Sequence, residues 1–205
     1  MPEVTRTIHG VVVRATVDDG LEPQANGFLE LFEDLPSSAL EDGRVIQVGW
    51  GALTPRVQAD GSVTLTAPDH AGATPNWVSD LSMEARVLSM QVMAIRSLGV
   101  TPQECLARHE VLVEDAALTA DDVYFHRRST TRENDSGWFL GLTTPGDRGP
   151  MSRVPAYTLL RSHPALVAYL MLPDESLVLL RGGAVVGVRG PDASDLSPAD
   201  GPTHG

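Results

Sequence analysis

Two hairpin signatures, one in each half of the chain, most constrain what this sequence can fold into. In residues 55–67, alternating residues flank Asp60-Gly61, a pair that can adopt the positive φ values of a tight turn. Residues 175–190 alternate in the same way around Gly182-Gly183. Together with an irregular order of strands and helices, these hairpins favour an α+β fold over a doubly wound parallel sheet.

The remaining segments predict short elements separated by loops. The β-branched residues 7–17 indicate one strand, and residues 27–35 have the spacing of an amphipathic helix. Thr101-Pro102 has the features of a capped start for a brief helix. Further strands are expected at 110–115 and 121–128, loops at 68–77 and 144–152, and two short helices within 155–170, broken at His163-Pro164.

The longest predicted helix runs from Leu81 to Leu98 and ends at Gly99. Glu84 and Gln91 fall inside its apolar arc, where buried polar atoms need hydrogen-bond partners. We expect Gln91 to bond to a neighbouring backbone and Glu84 to favour the positive helix N-terminus, while a pocket that faces a ligand or partner is the alternative. The arc itself comprises Met83, Val87, Leu88, Met90, Ala94, Ile95 and Leu98.

The chain of 205 residues is long enough for one large domain or two small ones. We predict an N-terminal α+β region over 1–99, a second α+β domain over 100–190 and a disordered tail over 191–205. The tail is rich in Pro, Ser and Asp, which disfavours a packed core.

The formal net charge of −12 disfavours a free-standing nucleic-acid binder and suits attraction to a basic partner. All 15 basic residues are arginine, and they are dispersed along the sequence. No apolar run reaches the ~18 residues of a membrane span, so we expect a cytoplasmic protein without membrane contact. Acidic groups that mark either solvated turns or a partner-binding patch are Asp18, Asp19, Glu22, Glu114, Asp115, Asp121 and Asp122.

Motifs for metal or cofactor chemistry are missing from the sequence. The single cysteine, Cys105, excludes an internal disulfide and a zinc site of several cysteines. Paired histidines at helical spacing, an Asp-rich calcium loop and a Gly-rich phosphate loop are all absent. We therefore expect neither a metal nor a cofactor.

The tetrapeptide Asp135-Ser136-Gly137-Trp138 invites two interpretations. A serine hydrolase would use Ser136 with a distant His, but the Gly-x-Ser-x-Gly elbow of such enzymes is absent. As structure, Asp-Ser-Gly indicates a turn, and Trp138 would then be the first, buried residue of the next strand. We favour the structural interpretation.

In combination with the segment downstream, this tetrapeptide resembles the immunity protein 33-like domain of bacterial polymorphic-toxin systems. The resemblance covers roughly the last 70 to 80 ordered residues. Its positions here are Asp135, Ser136, Gly137, Trp138, Tyr157, Leu159, Pro164, Tyr169, Leu170 and Pro173. The N-terminal half is similar to the region that precedes this domain in longer members, with Gly49, Trp50, Pro68, Asp69, Pro75 and Gln91 at the matching places.

The resemblance implies a non-enzymatic protein that binds and neutralises a cognate toxin, with motif residues that are structural rather than catalytic. Two alternatives stay open at this point. One is a hydrolase or small-ligand enzyme that uses Ser136 or a loop histidine, and the other is an oligomeric scaffold.

Overall fold

A computed structural model describes residues 1–70, 76–144, 146, 148–192 and 194. The chain divides into two compact units, Met1–Ser89 and Met90–Gly205. Each unit is built on one mixed sheet with a few helices, which confirms the predicted α+β class. Most of the predicted tail, together with Pro75, Pro145 and Asp147, lies outside the described residues.

The sheet of the N-terminal unit follows the order β1-β2-β5-β4-β3, and β6 pairs with β5. The β2–β5 pair is parallel, whereas the other strand pairs in this sheet are antiparallel. Its strands are β1 (Glu3–Ile8), β2 (Val11–Thr16), β3 (Ile46–Val48), β4 (Gly51–Val57), β5 (Val63–Asp69) and β6 (Asn76–Val78).

The single strand predicted over 7–17 is wrong, because β1 and β2 form a hairpin there. His9 and Gly10 make the turn with φ values of 50° and 83°. A left-handed pair is what a two-residue hairpin needs, and Asn-Gly or Asp-Gly is the usual choice, so His9-Gly10 gives a weaker turn signal. Without a recognisable turn signal between them, the β-branched residues of β1 and β2 have the sequence pattern of one continuous strand. The second hairpin, β4–β5, turns at Asp60-Gly61 as predicted.

Helix α1 (Glu22–Asp34) begins five residues earlier than the predicted start at Gly27. Pro23 lies in its first turn, where the missing N–H has no helical partner to lose. Phe28, Leu29 and Phe32 are buried in the core of the N-terminal unit, where the helix packs on β1 and β2. A short 3-10 turn over Ser37–Leu40 follows α1.

Helix α2 (Ser82–Leu98) agrees closely with the predicted helix over 81–98, but its buried face differs. Met83 and Met90 are 43% and 40% exposed, although both were assigned to the apolar arc. Glu84 and Gln91, the two polar residues inside that arc, are buried. The buried face of α2 is therefore centred closer to Glu84 and Gln91 than the sequence pattern predicts.

The sheet of the C-terminal unit follows the order β10-β7-β9-β8-β11-β12. Its β7–β9 pair is parallel and the other pairs are antiparallel. The strands are β7 (Glu110–Glu114), β8 (Val123–Arg127), β9 (Asp135–Leu142), β10 (Met151–Pro155), β11 (Leu177–Arg181) and β12 (Ala184–Arg189). Strand β10 begins at Met151, so the loop predicted over 144–152 ends two residues earlier than expected. Strands β11 and β12 pair around Gly182-Gly183, which confirms the predicted hairpin.

Short helical segments supply much of the buried packing of this unit. They comprise 3-10 turns at Asp115–Thr119, Ala156–Thr158 and Pro164–Tyr169, and helix α3 (Leu159–Ser162). The helical conformation is interrupted at His163, whose φ and ψ are −143° and 67°. The predicted break between the two short helices at His163-Pro164 is therefore confirmed. Leu159, Leu166 and Val167 are fully buried.

The short helix predicted after Thr101 does not form, since residues 101–106 have no regular structure. The reason is tertiary. The Arg127 guanidinium donates hydrogen bonds to the carbonyl oxygens of Gln103 and Glu104, and the Gln103 N–H donates to the carbonyl of Met171. Local cap signals cannot compete with backbone groups that are already bonded elsewhere.

Asp80 fixes the start of α2, because its carboxylate accepts hydrogen bonds from the backbone N–H and the hydroxyl of Ser82, at 2.9 and 2.5 Å. We expect Asp80→Ala to lower the free energy of unfolding by about 1 kcal/mol, as loss of an N-terminal helix cap does. Urea denaturation measures the change, with Asp19→Ala as the control at an exposed position. Equal stability of the two variants would contradict this role.

Candidate interaction surface on the motif strand

The Asp-Ser-Gly-Trp motif opens strand β9, so the prediction that Asp135-Ser136-Gly137 is a turn is wrong. The turn lies just before it, where Asn134 has a φ of 60° and the Asp135 N–H donates to the Arg132 carbonyl. Trp138 is accordingly the fourth residue of the strand and not the first.

Gly137 forms a β-bulge in this strand. The register between β7 and β9 shifts between Glu110 and Leu112, and Gly137 has a φ of 76°. A Cβ atom at residue 137 would overlap the carbonyl oxygen of Arg128, so only glycine fits. The Asp135 carboxylate accepts the Gly137 N–H at 2.9 Å and thereby pairs a donor in the bulge.

Ser136 is 2% exposed, and its hydroxyl is engaged in both directions. It donates to the carbonyl of Glu110 at 2.7 Å and accepts the backbone N–H of Trp138 at 3.2 Å. Both partners are backbone atoms rather than an imidazole. A hydroxyl held in this way is a structural bridge across the bulge and is badly placed for nucleophilic attack.

Trp138 is 1% exposed and stacks on Phe125, with ring centroids 4.0 Å apart and an interplanar angle of 5°. Its indole N–H donates to the carbonyl of Leu170 at 3.0 Å. A buried tryptophan thus gains apolar contact and keeps its one polar group paired.

Sequence reasoning missed Arg127, whose side chain is 3% exposed beside Trp138. Burial lowers the pKa of its guanidinium below the usual value. Its nitrogen atoms lie 2.6 to 3.3 Å from four carbonyl oxygens, those of Gln103, Glu104, Leu170 and Leu172. The only signal in the sequence is its place in the inward alternation Val123, Phe125, Arg127.

The downstream motif residues belong to the segment that receives these bonds. Pro164 opens the 3-10 turn that Tyr169 closes, directly before the Leu170 carbonyl. Burial raises the pKa of the Tyr169 phenol. The Tyr157 N–H donates to the Ala107 carbonyl, and the Pro173 carbonyl accepts the N–H of Ser176. Both parts of the motif therefore meet at Leu170.

The opposite side of the same sheet, which we call the outer face, carries partly exposed apolar side chains. Leu112 lies opposite Phe139, and Tyr124 lies opposite Leu179, which is 37% exposed. The Tyr124 and Phe139 rings sit 5.6 Å apart over Gly141, where a Cβ atom would lie 2.6 Å from the Phe139 ring.

Two of the cavities on the outer face combine apolar side chains with arginines. The larger, of about 640 Å³, is lined by residues that include Tyr124, Leu177, Leu179, Val186, Arg181 and Arg189. The smaller, of about 210 Å³, is lined by residues that include Leu112, Phe139, Arg128, Arg148 and Arg153. Apolar centres with an arginine rim are typical of protein-binding surfaces.

Comparison with known proteins assigns the second unit. Residues 90–188 match the Imm33-like domain family. The C-terminal half is therefore similar to an immunity protein 33-like domain. No curated protein and no solved structure matches the chain. The predicted family resemblance is therefore confirmed, and the family suggests an immunity protein with a non-enzymatic role.

Within the Imm33-like domain, two of the predicted patch residues bind backbone. Glu114 is 7% exposed, and its carboxylate accepts the N–H groups of Leu142 and Gly149, so it is not available to a partner. The Asp122 carboxylate accepts the Gly182 N–H at the hairpin turn. Asp115 and Asp121 are exposed.

The other three candidate patch residues belong to the N-terminal unit. Asp18 forms an ion pair with Arg86, Asp19 is exposed, and Glu22 lies in the first turn of α1. The structure therefore distributes the predicted acidic residues over both units and gives several of them local partners.

Glu84 and Gln91 have different environments. Gln91 is fully buried and its side-chain amide donates to the Val167 carbonyl at 3.2 Å, as expected for a bond to a neighbouring backbone. Glu84 is 4% exposed, packs against Gly51, and has a carboxylate oxygen 3.7 Å from Nε2 of His70. The His70 ring in turn lies 5.7 Å from Trp50.

The described ranges contain no candidate metal site and no helix that could span a membrane. No group of three or more His, Cys, Asp or Glu side chains there could hold a metal ion. The helices in those ranges are too short or too polar to cross a bilayer. Cys105 is buried, and burial raises the pKa of its thiol to about 12.

We expect Trp138→Ala to lower the free energy of unfolding by about 3–5 kcal/mol, because it removes a stacked, hydrogen-bonded ring from the core. Urea denaturation followed by circular dichroism measures the loss. Trp77→Ala is the control, since Trp77 is 38% exposed, and its effect should stay below about 1 kcal/mol. Similar losses in the two variants would refute the anchoring role of Trp138.

We expect Gly137→Ala to destabilise the protein by about 2 kcal/mol or more, through positive φ and overlap with the Arg128 carbonyl. Gly187→Ala in β12 is the matched control, since nothing lies within 4 Å of its added Cβ atom. Thermal and urea unfolding of both variants measure the difference. A Gly137→Ala protein as stable as the control would show that the bulge tolerates a side chain.

Proposed function

We propose that this protein is a bacterial immunity protein that neutralises a cognate toxin by binding it. The match of residues 90–188 to the Imm33-like domain family carries the proposal. The toxin would come from a polymorphic-toxin system, and the protein would act in the cytoplasm of the cell that makes it. A protein that neutralises a toxin by binding needs a surface large enough for a stable interface, and it needs no catalytic group.

The outer face of the second sheet supports the binding part of this proposal. Its centre is apolar and its rim carries arginines, the residue types that dominate protein interfaces. The inner face of the same sheet is tied to the Pro164–Tyr169 turn through Trp138 and the Leu170 carbonyl. A rigid sheet with one side already packed offers a partner a preformed surface and little ordering cost.

The enzyme alternative has weaker support. The Ser136 hydroxyl is buried and doubly bonded to backbone atoms, and His163, one of the loop histidines, is 5% exposed with a ring nitrogen 3.0 Å from the Ala120 carbonyl. An oligomeric scaffold would use the same outer face for a second copy of the chain. That outcome is separated from toxin binding by the measurement below.

The test is co-expression with secreted toxin candidates encoded beside the gene. We expect one candidate to arrest growth alone and to be neutralised when this protein is present. Purified together, the two should form a complex by size-exclusion chromatography. Inhibition in a titration should saturate at equal molar amounts, because a binder acts stoichiometrically and an enzyme does not.

Leu179→Glu introduces a charge at the centre of the outer face and should weaken both complex and rescue by about tenfold or more. Val57→Glu is the control at a 51% exposed valine in β4. If no neighbouring toxin is bound or neutralised, the proposed function is wrong. A protein that forms only a homo-oligomer through the Leu179 face would favour the scaffold.

A further inference from the structure

Four of the five arginines that line the two outer-face cavities differ from most others in the described part of the chain in having no acidic partner. Ion pairs join Arg6, Arg14, Arg44 and Arg86 to carboxylates in the N-terminal unit, and Arg127, Arg132 and Arg153 to carboxylates in the Imm33-like domain. Among the described residues, no carboxylate forms an ion pair with Arg128, Arg148, Arg181 or Arg189, and all four side chains are exposed.

The lack of partners is notable because carboxylates are in excess. The sequence has 27 acidic residues against 15 arginines, so a carboxylate is the commonest charged neighbour an arginine can find. An arginine that stays unpaired in such a chain keeps its guanidinium donors available for a ligand. Guanidinium groups bind carboxylates with two parallel hydrogen bonds, which favours such a ligand strongly.

These four arginines, which form no ion pair with a carboxylate in the described part of the chain, line the cavities on the outer face. Arg181 and Arg189 flank the larger cavity, beside Leu179. Arg128 and Arg148 flank the smaller one, where the Arg148 guanidinium lies 5.1 Å from the centre of the Phe139 ring. The arginine pairs therefore mark the two ends of one surface with an apolar centre.

The charge of this surface is opposite to that of the whole chain. Five arginines and two carboxylates line the two cavities, against a net charge of −12 for the protein. One carboxylate, Asp135, is held by Arg153 at 2.8 Å, and the other, Glu175, lies 3.7 Å from His126. The side chains that line the two cavities therefore carry a net positive charge, which favours an anionic group at short range.

We propose that the outer face binds an acidic segment of a protein partner, with carboxylates at the two arginine pairs and an apolar side chain in the larger cavity. This inference rests on the proposed function, in which the partner is the toxin. A polynucleotide is disfavoured, because it would face repulsion from the rest of the acidic chain and an apolar lining at Leu177, Leu179 and Val186. A short acidic segment can reach the arginines without the long run of negative charge that would repel a polynucleotide from the rest of this acidic protein.

The experiment uses the full chain and two kinds of ligand. The first is a fluorescent peptide of alternating glutamate and leucine, compared with the same peptide carrying glutamine in place of glutamate and with oligothymidylate. The second is any neighbouring toxin captured by co-expression. Fluorescence anisotropy measures affinity for the peptides and the oligonucleotide, and surface plasmon resonance measures affinity for the toxin.

We expect the glutamate peptide to bind at least about tenfold more tightly than the glutamine peptide or oligothymidylate, with affinity falling as salt is raised. Arg181→Glu/Arg189→Glu and Arg128→Glu/Arg148→Glu should each weaken binding of peptide and toxin by about tenfold or more. Arg56→Glu/Arg96→Glu carries the same charge change at arginines that line neither cavity and should alter affinity less than about twofold.

Circular dichroism and urea denaturation establish that each exposed-site variant is folded. Amide NMR with the peptide should then shift signals of β11 and β12. The inference fails if the glutamine peptide or oligothymidylate binds as well as the glutamate peptide. It also fails if the outer-face variants neutralise a captured toxin as well as the unmodified protein does, and in that case the proposed function still stands. If the peptide binds as expected but no toxin is neutralised, the proposed function fails and the surface assignment stands.

Discussion

The Arg127 guanidinium, buried beneath the second sheet, binds carbonyl groups from two segments far apart in sequence. One segment contains Gln103 and Glu104, and the other contains Leu170 and Leu172. Hydrogen bonds to a charged donor contribute about 1.5–3 kcal/mol each, whereas an unpaired buried cation costs several kcal/mol. Displacing either segment would therefore leave part of a buried charge without hydrogen-bond partners.

The Asp-Ser-Gly-Trp motif depends on the same arrangement. Trp138 lies opposite Arg127 in the β8–β9 register and donates to the same Leu170 carbonyl. With the ring and the guanidinium both turned inward, the alternation of a strand directs Phe139 outward. The packing of one face thus decides which side chains the other face presents, so the motif also determines the shape of the candidate interaction surface.

Local chemistry determined how much of this could be predicted. The hairpins at Asp60-Gly61 and Gly182-Gly183 were predictable because the turn residues themselves carry the signal. The hairpin at His9-Gly10 was missed, since it lacks the Asn-Gly or Asp-Gly pair that is usual in such a turn. The role of Arg127 was invisible, because a charged residue reveals burial only through carbonyls that lie far along the chain. For the same reason, the cap signal at Thr101 predicted a helix whose backbone groups are in fact bonded to that arginine. The family resemblance, by contrast, was recoverable from a short set of anchor residues.

The bulge at Gly137 also affects how this surface can diversify. Strand register around it is set by the Arg128 N–H bond to the Gly137 carbonyl and by the Ser136 bond to Glu110. Within the loop between β8 and β9, the backbone of Arg128 and Asn134 takes part in that alignment, whereas the backbone of residues 129–131 forms no hydrogen bond to β7 or β9, so residues 129–131 can be exchanged without sliding β9 against its neighbours. Ser129 and Thr130 of this loop border the smaller cavity. Substitutions at this rim can therefore change the shape of the smaller cavity while the frame beneath it stays the same.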